Sequence, residues 1–115
     1  MILAALILGA LVVGAIAVFW KDITVNLSKV MNKIKEKFNR TVVGCTVKLK
    51  RIGDKFQNRQ NHFSQDETGQ WHEQTITYEQ NRDEIPDEYK QGKYATMEDE
   101  FDISDDYELA LKQSH

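Results

Sequence analysis

The chain has 115 residues, about twenty of them in an apolar start, which leaves one small unit near the size at which a hydrophobic core just suffices and little room for a large active-site cleft. Its 41% apolar content is concentrated at the N-terminus, so the C-terminal half is poor in hydrophobes and much of it is predicted not to pack. A single cysteine, Cys45, excludes an internal disulfide framework and a multi-cysteine zinc site, in keeping with a reducing compartment. The formal net charge of −3 hides an asymmetry: residues 21–59 carry eleven Lys or Arg against Asp22, Glu36 and Asp54, whereas residues 60–115 carry four basic and fifteen acidic residues. Such a charge dipole suggests a basic segment at an anionic surface and an acidic tail held away from it, or folded back to mask it.

Met1 to Trp20 reads MILAALILGALVVGAIAVFW, without charge or proline. A helix of about twenty residues crosses a hydrocarbon core roughly 30 Å thick, so residues 1–20 are predicted to form a single transmembrane helix. Phe19, Trp20 and Lys21 then form an interfacial anchor. The lysines that follow place the N-terminus outside and the rest in the cytoplasm, at an inner membrane. Ala15-Ile16-Ala17 offers a signal-peptide cleavage site, but the basic n-region is missing and the apolar run is longer than such a peptide needs. Ala5 with Gly9, and Ala10 with Gly14, set small residues four apart, a spacing that permits close helix packing and hence a homo-oligomer; a span merely rich in small residues is the plainer reading.

Over residues 21–40, Ile23, Leu27, Val30, Met31, Ile34 and Phe38 recur at helical spacing, with Lys29, Lys33, Lys35 and Lys37 on the other face. A basic amphipathic helix beside a span can turn its lysines toward lipid headgroups. The same stripe would equally serve as a helix covering a sheet.

Residues 41–80 are predicted to form a three-stranded antiparallel meander. Val43, Cys45, Val47 and Leu49 alternate with polar residues, and Gly53-Asp54 supplies a two-residue turn. A polar strand then runs from about Lys55 to Ser64, Asp66-Glu67-Thr68-Gly69 turns the chain, and a third strand runs from Gln70 to about Gln80. The rival is a helix continuing through residues 41–60, since Phe38, Val42, Cys45, Leu49, Ile52 and Phe56 keep helical spacing; Gly44, Gly53 and the β-branched run oppose it. The expected class is therefore α+β: a transmembrane helix, an amphipathic helix, a small meander, and an acidic, partly disordered tail with short helices over 81–115.

The apolar start ending in Phe19-Trp20-Lys21-Asp22-Ile23, the basic helix, and the hairpin from His62-Phe63-Ser64 to Gly69-Gln70-Trp71-His72-Glu73 with Thr75-Ile76-Thr77 resemble small, uncharacterised bacterial single-pass membrane proteins sometimes carried by mobile elements. The resemblance implies a bacterial inner-membrane setting and offers no activity or functional residues.

With both turns as read, Cys45 faces His62 and His62 faces Glu73 in one row, the residue types of a nucleophile, its base and an orienting group. A one-residue slip would scatter them to opposite faces, and no oxyanion-binding turn accompanies Cys45, so catalysis is not expected. His62, His72 and His115 lack metal-ligand spacing, and no phosphate or dinucleotide motif occurs, so neither metal nor cofactor is expected. Trp71, Phe63 and Tyr78 near Lys48, Lys50, Arg51, Lys55 and Arg59 have the ingredients of a nucleic-acid platform, but more simply supply the core.

In the tail, Pro86 opens a short helical turn, and Ser104 is placed to cap a final helix with Asp105 and Asp106 in its first turn. Phe101, Ile103, Tyr107 and Leu111 form a stripe expected to bind a protein partner; a solubilising tail is the plainer alternative. The functional expectation is a membrane-anchored adaptor from which deletion of residues 98–115 releases a partner and leaves the rest in place. A membrane-active effector with an oligomerising span is the alternative.

Overall fold

The computed structural model describes residues 18–94 and 99–113. Helix α1 runs Val18–Phe38 with no break at the expected membrane boundary. Phe19, Ile23, Leu27, Met31 and Ile34 are buried along one face, so the apolar stripe begins a turn earlier than expected, inside the residues assigned to the span. Asn39 ends the helix in left-handed backbone (φ +52°) and donates its N–H to the Lys35 carbonyl at 3.0 Å. Lys35 and Lys37 occupy the last turn, where positive charge suits the helix dipole.

Strands β1 (Thr41–Ile52), β2 (Lys55–Gln65) and β3 (Trp71–Asn81) form an antiparallel meander. Residues 41–52 are thus strand, not continued helix. Gly53 takes φ +62° at the first position of the two-residue loop between β1 and β2, a conformation open to glycine at little cost. Beyond β3 come three short turns of 3-10 helix at Arg82–Glu84, Asp87–Tyr89 and Gly92–Tyr94. Strand β4 (Phe101–Asp102) then pairs antiparallel with the far side of β1, giving the order β3-β2-β1-β4, and helix α2 (Ser104–Gln113) follows.

Helix α1 packs across β1 and β2, and α2 against β1. Cys45, Val47 and Leu49 of β1 face this core with Phe56, Ile85, Tyr89, Phe101, Ile103, Tyr107 and Leu111. One end is aromatic: the Trp20 indole stacks on Tyr107 (centroids 5.7 Å apart, 14° between planes), and Phe19 lies 6.3 Å from Tyr89. Such ring pairs add to the stabilisation from their buried area.

Three expectations are corrected here. Among the described residues, no helix is long and apolar enough to cross a membrane. The stretch Met1–Ala17, with Ala5, Gly9, Ala10 and Gly14, lies outside the described residues, and the span's described end belongs to a different structure: Phe19 is buried under the tail's aromatics, not seated at a lipid interface. The single-pass fold, the lipid partner and the inner-membrane location inferred from it are therefore not supported. Second, the sheet has four strands, because the acidic tail contributes one. Third, that tail is part of the core. Phe101, Ile103, Tyr107 and Leu111 do make a stripe, but it is buried in this chain. Ser104 does not cap α2 with its hydroxyl. The Val47 N–H donates to Ser104 Oγ at 2.9 Å, pinning the helix to β1, while Asp102 Oδ1 accepts the Ser104 N–H at 2.7 Å.

Candidate interaction edge

The row of Cys45, His62 and Glu73 is half formed. The two-residue loop sets Cys45 opposite His62, but His62 is opposite Gln74, and Glu73 is opposite Phe63 on the other face. The slip comes from the β2–β3 loop, which spans residues 66–70. There Asp66 Oδ1 accepts from the N–H groups of Thr68 (2.9 Å) and Gln70 (3.0 Å) and from the Thr68 hydroxyl (2.6 Å), while Oδ2 meets His72 Nε2 at 2.8 Å. His72, Thr68 and the loop amides hold the Asp66 carboxyl far below its usual range. Glu73 is left to accept from Asn61 Nδ2. Burial pushes the Cys45 thiol up to about 12, so thiolate is scarce at neutral pH, and burial pushes His62 below its usual value. A nucleophile with base and orienter is not assembled. Among the described residues no group of three or more His, Cys, Asp or Glu is placed to hold a metal ion.

Because β2 is polar on both faces, α1 covers a polar seam. Asn58, Gln60, His62 and Ser64 all turn toward the helix and are buried. They are largely paired. Asn58 Nδ2 donates to Gln80 Oε1 (3.2 Å), Gln60 Nε2 to the Tyr78 hydroxyl (3.0 Å), and His62 Nε2 to the Leu27 carbonyl in α1 (3.2 Å). The amides tie β2 to β3, and the buried His62–Leu27 bond ties β2 to α1, so a shift of the helix would strand the imidazole.

What that fixed helix leaves uncovered is β3. The two edges of the sheet are unlike. β4 has two residues and leads straight into α2, a short edge of the protected kind. β3 has eleven, seven of them exposed, with no proline, no lysine and an unbroken register against β2, and among the described residues no strand pairs with its outer side. Such an edge presents alternate N–H and C=O groups to solvent along its length, the template for strand addition.

Beside it, α1 and β3 enclose a groove of about 290 Å³ lined by Val30, Ile34, Phe38 and Ile76, with Lys33, Lys37 and Gln74. That is the small end of the roughly 300–1,000 Å³ range of small-molecule sites, enough for a few side chains. The Arg40 guanidinium lies 4.4 Å over the Phe38 ring, and its Nε donates to Ser64 Oγ at 3.3 Å, which holds the groove's far end.

Charge is distributed unevenly around this edge. On the outer sheet face Arg59 pairs with Glu100, Lys55 with Glu79 (3.7 Å), and Lys48 has Asp102 as its cross-strand neighbour. The acidic tail and β3 thus meet Arg59 and Lys55, two of the basic residues of the nucleic-acid platform considered from sequence. On α1, Lys29, Lys33, Lys35 and Lys37 are all exposed, and among the described residues none of the four makes an ion pair. Lys21 is exposed as well. Sequence reasoning set Lys29, Lys33, Lys35 and Lys37 opposite the apolar stripe; all four are exposed, and Lys33 and Lys37 line the groove beside Val30, Ile34 and Phe38. It missed the edge, because which strand of a meander stays unpaired depends on where the tail returns. No family model, curated protein or solved structure matches the chain.

Proposed function

We propose that this chain is a protein-interaction module that takes an extended segment of a partner protein as a fifth strand on β3. The observation that carries the reading is the eleven-residue unprotected edge beside an apolar groove, in a sheet whose other edge is blunted. The adaptor role inferred from sequence is kept. Its contact surface moves from the tail, whose apolar stripe is spent in the core, to β3. Each backbone hydrogen bond of an added strand contributes about 0.5–1.5 kcal/mol net, and side chains entering the groove add apolar burial to it.

Selection of random ten-residue peptides on the full chain, followed by N-methylation of each amide in turn, tests this. In strand addition, alternate amides face β3. Methylation at every second position should weaken binding tenfold or more and leave the intervening positions unaffected. A uniform response to methylation, or failure to select any β-prone peptide, overturns the reading.

A further inference from the structure

The same edge carries information about what its partner looks like, an inference that rests on the strand-addition reading. We propose that the docking segment is two-sided: apolar residues and at least one carboxylate on the face turned toward α1, with neutral or basic residues on the other face.

Side chains of an added strand alternate between the two faces of the sheet. On the α1 side they enter the groove, where Val30, Ile34, Phe38 and Ile76 take apolar groups. Lys33 and Lys37 stand one helical turn apart at its mouth. Both are exposed and, among the described residues, neither has an acidic partner, so a carboxylate arriving between them gains two attractions and breaks none. On the opposite face the fifth strand would run beside Glu73, Thr75, Thr77 and Glu79, where a further carboxylate is repelled and an ammonium or hydroxyl is accommodated. Among the described residues, no carboxylate of the chain pairs with Lys33 or Lys37. Glu100 and Asp102 lie against Arg59 and Lys48 on the other side of the sheet.

A second copy of β3 fits poorly. Its α1-side residues His72, Gln74, Ile76, Tyr78 and Gln80 bring no carboxylate to the lysines, and antiparallel pairing centred on Ile76 sets Glu73 against the second copy's Glu79. Like charges directly opposite one another destabilise a strand pair. The observations therefore favour a different protein over self-association.

The test uses fluorescence anisotropy on the full chain with labelled nine-residue peptides that alternate threonine and valine, so that the valine side selects the groove. One valine is replaced by glutamate, glutamine or lysine, and a fourth peptide carries its glutamate on the threonine side. The expected order of affinity is glutamate over glutamine over lysine. Glutamate should lead lysine about tenfold at 50 mM salt and less at 500 mM, where the Debye length falls to about 4 Å. The threonine-side glutamate should bind more weakly than glutamine. In a Lys33→Glu, Lys37→Glu variant, altered only at exposed positions, the order should reverse while the circular dichroism spectrum stays that of the native fold, the loss of Lys37 from the last turn of α1 lowering the melting temperature by only a few degrees. Equal affinity for all three groove-side peptides, or an order the double variant leaves unchanged, overturns the charge pattern while alternate-amide sensitivity of the glutamine peptide keeps strand addition standing. Failure of every peptide to bind overturns both. Concentration-dependent dimerisation abolished by Ile76→Lys would assign the edge to a second copy and also overturn the proposal.

Discussion

Removal of residues 98–115 separates the two meanings a sticky acidic tail can have. Were the tail a detachable partner-binding arm, the remainder would fold without it. In the structure Phe101, Ile103, Tyr107 and Leu111 are each at most 7% exposed, and α2 is fastened by the Val47 N–H to Ser104 Oγ bond, by Tyr89 donating to Asp106 Oδ2 at 2.7 Å, and by the Thr24–Tyr107 hydroxyl pair. Burial of a large apolar side chain contributes about 1.5–3 kcal/mol, so these four contribute on the order of 6–12 kcal/mol. The whole stability of a domain this size is about 5–15 kcal/mol. A chain ending at residue 97 should therefore lie at or below the threshold of folding, with β1's edge and the α1 aromatics exposed. Urea titration followed by far-ultraviolet circular dichroism reads the outcome. The full chain should unfold cooperatively, and the truncated chain should show no cooperative transition. Leu111→Ala gives a graded version: a cost of about 2–5 kcal/mol should lower the urea midpoint by about 1 M or more. A truncated chain that keeps a cooperative transition within about 0.5 M of the full-length midpoint would refute the reasoning, and would return the tail to the role of an arm.

Tyr107→Phe should cost about 0.5–1.5 kcal/mol by denaturant titration, because it deletes the hydroxyl facing Thr24 and keeps the ring stacked on Trp20. His62 is buried neutral with its pKa lowered from 6.5, so the unfolded chain takes up the proton at a higher pH than the folded one. Its contribution is present above pH 6.5 and should be lost as pH falls through and below that value. Urea midpoints between pH 8 and 5 should decline, and His62→Gln should flatten that part of the profile. Asp66 follows the carboxylate rule. With its folded pKa depressed below 3.8, it stabilises the β2–β3 loop above that pH and less as pH falls toward the folded value, a slope that Asp66→Asn should remove. Cys45, fully buried with its thiol at about 12, should react with a disulfide reagent only at the rate of global unfolding, and a fast phase in native buffer would contradict its placement.

Where the chain's grammar is local, the sequence is a good guide. Gly53-Asp54 allows one tight connection, and with it the pairing of Cys45 with His62 was legible. The next register was not. A carboxylate that gathers two amides and a hydroxyl makes Asp66–Gln70 a loop one residue longer than a plain turn suggests, and in a strand one residue exchanges the faces, so Glu73 and Gln74 trade places. Hydropathy grouped Phe19 and Trp20 with the apolar run before them, whereas their periodicity joins them to Ile23 and Leu27 after them. Their partners, Tyr89 and Tyr107, lie about seventy or more residues downstream, beyond the reach of any local pattern. The tail shows the same limit: helical spacing identified which residues of α2 are apolar together, and could not say that the surface they meet is β1.

The charge asymmetry of the sequence can now be followed to where it ends. The basic block contains two sets of cations with different fates. On the strands Arg59 is met by Glu100 and Lys55 by Glu79, and Lys48 has Asp102 as its cross-strand neighbour, because the acidic half returns as β3 on one side of the β1–β2 pair and as β4 on the other. Those on α1 lie away from it, since the helix packs on the face of the sheet opposite these acids, where buried His62 bonds the Leu27 carbonyl. Among the described residues, ion pairs therefore form on the outer face, and none forms with Lys29, Lys33, Lys35 or Lys37 along the helix. The long edge strand β3 runs between the two, with carboxylates on one side and lysines on the other. A neutral or evenly charged segment would gain nothing from that placement. A segment with its acids on the α1 side is matched by both faces at once, and the strength of that match should fall with salt in proportion to the helix lysines it engages.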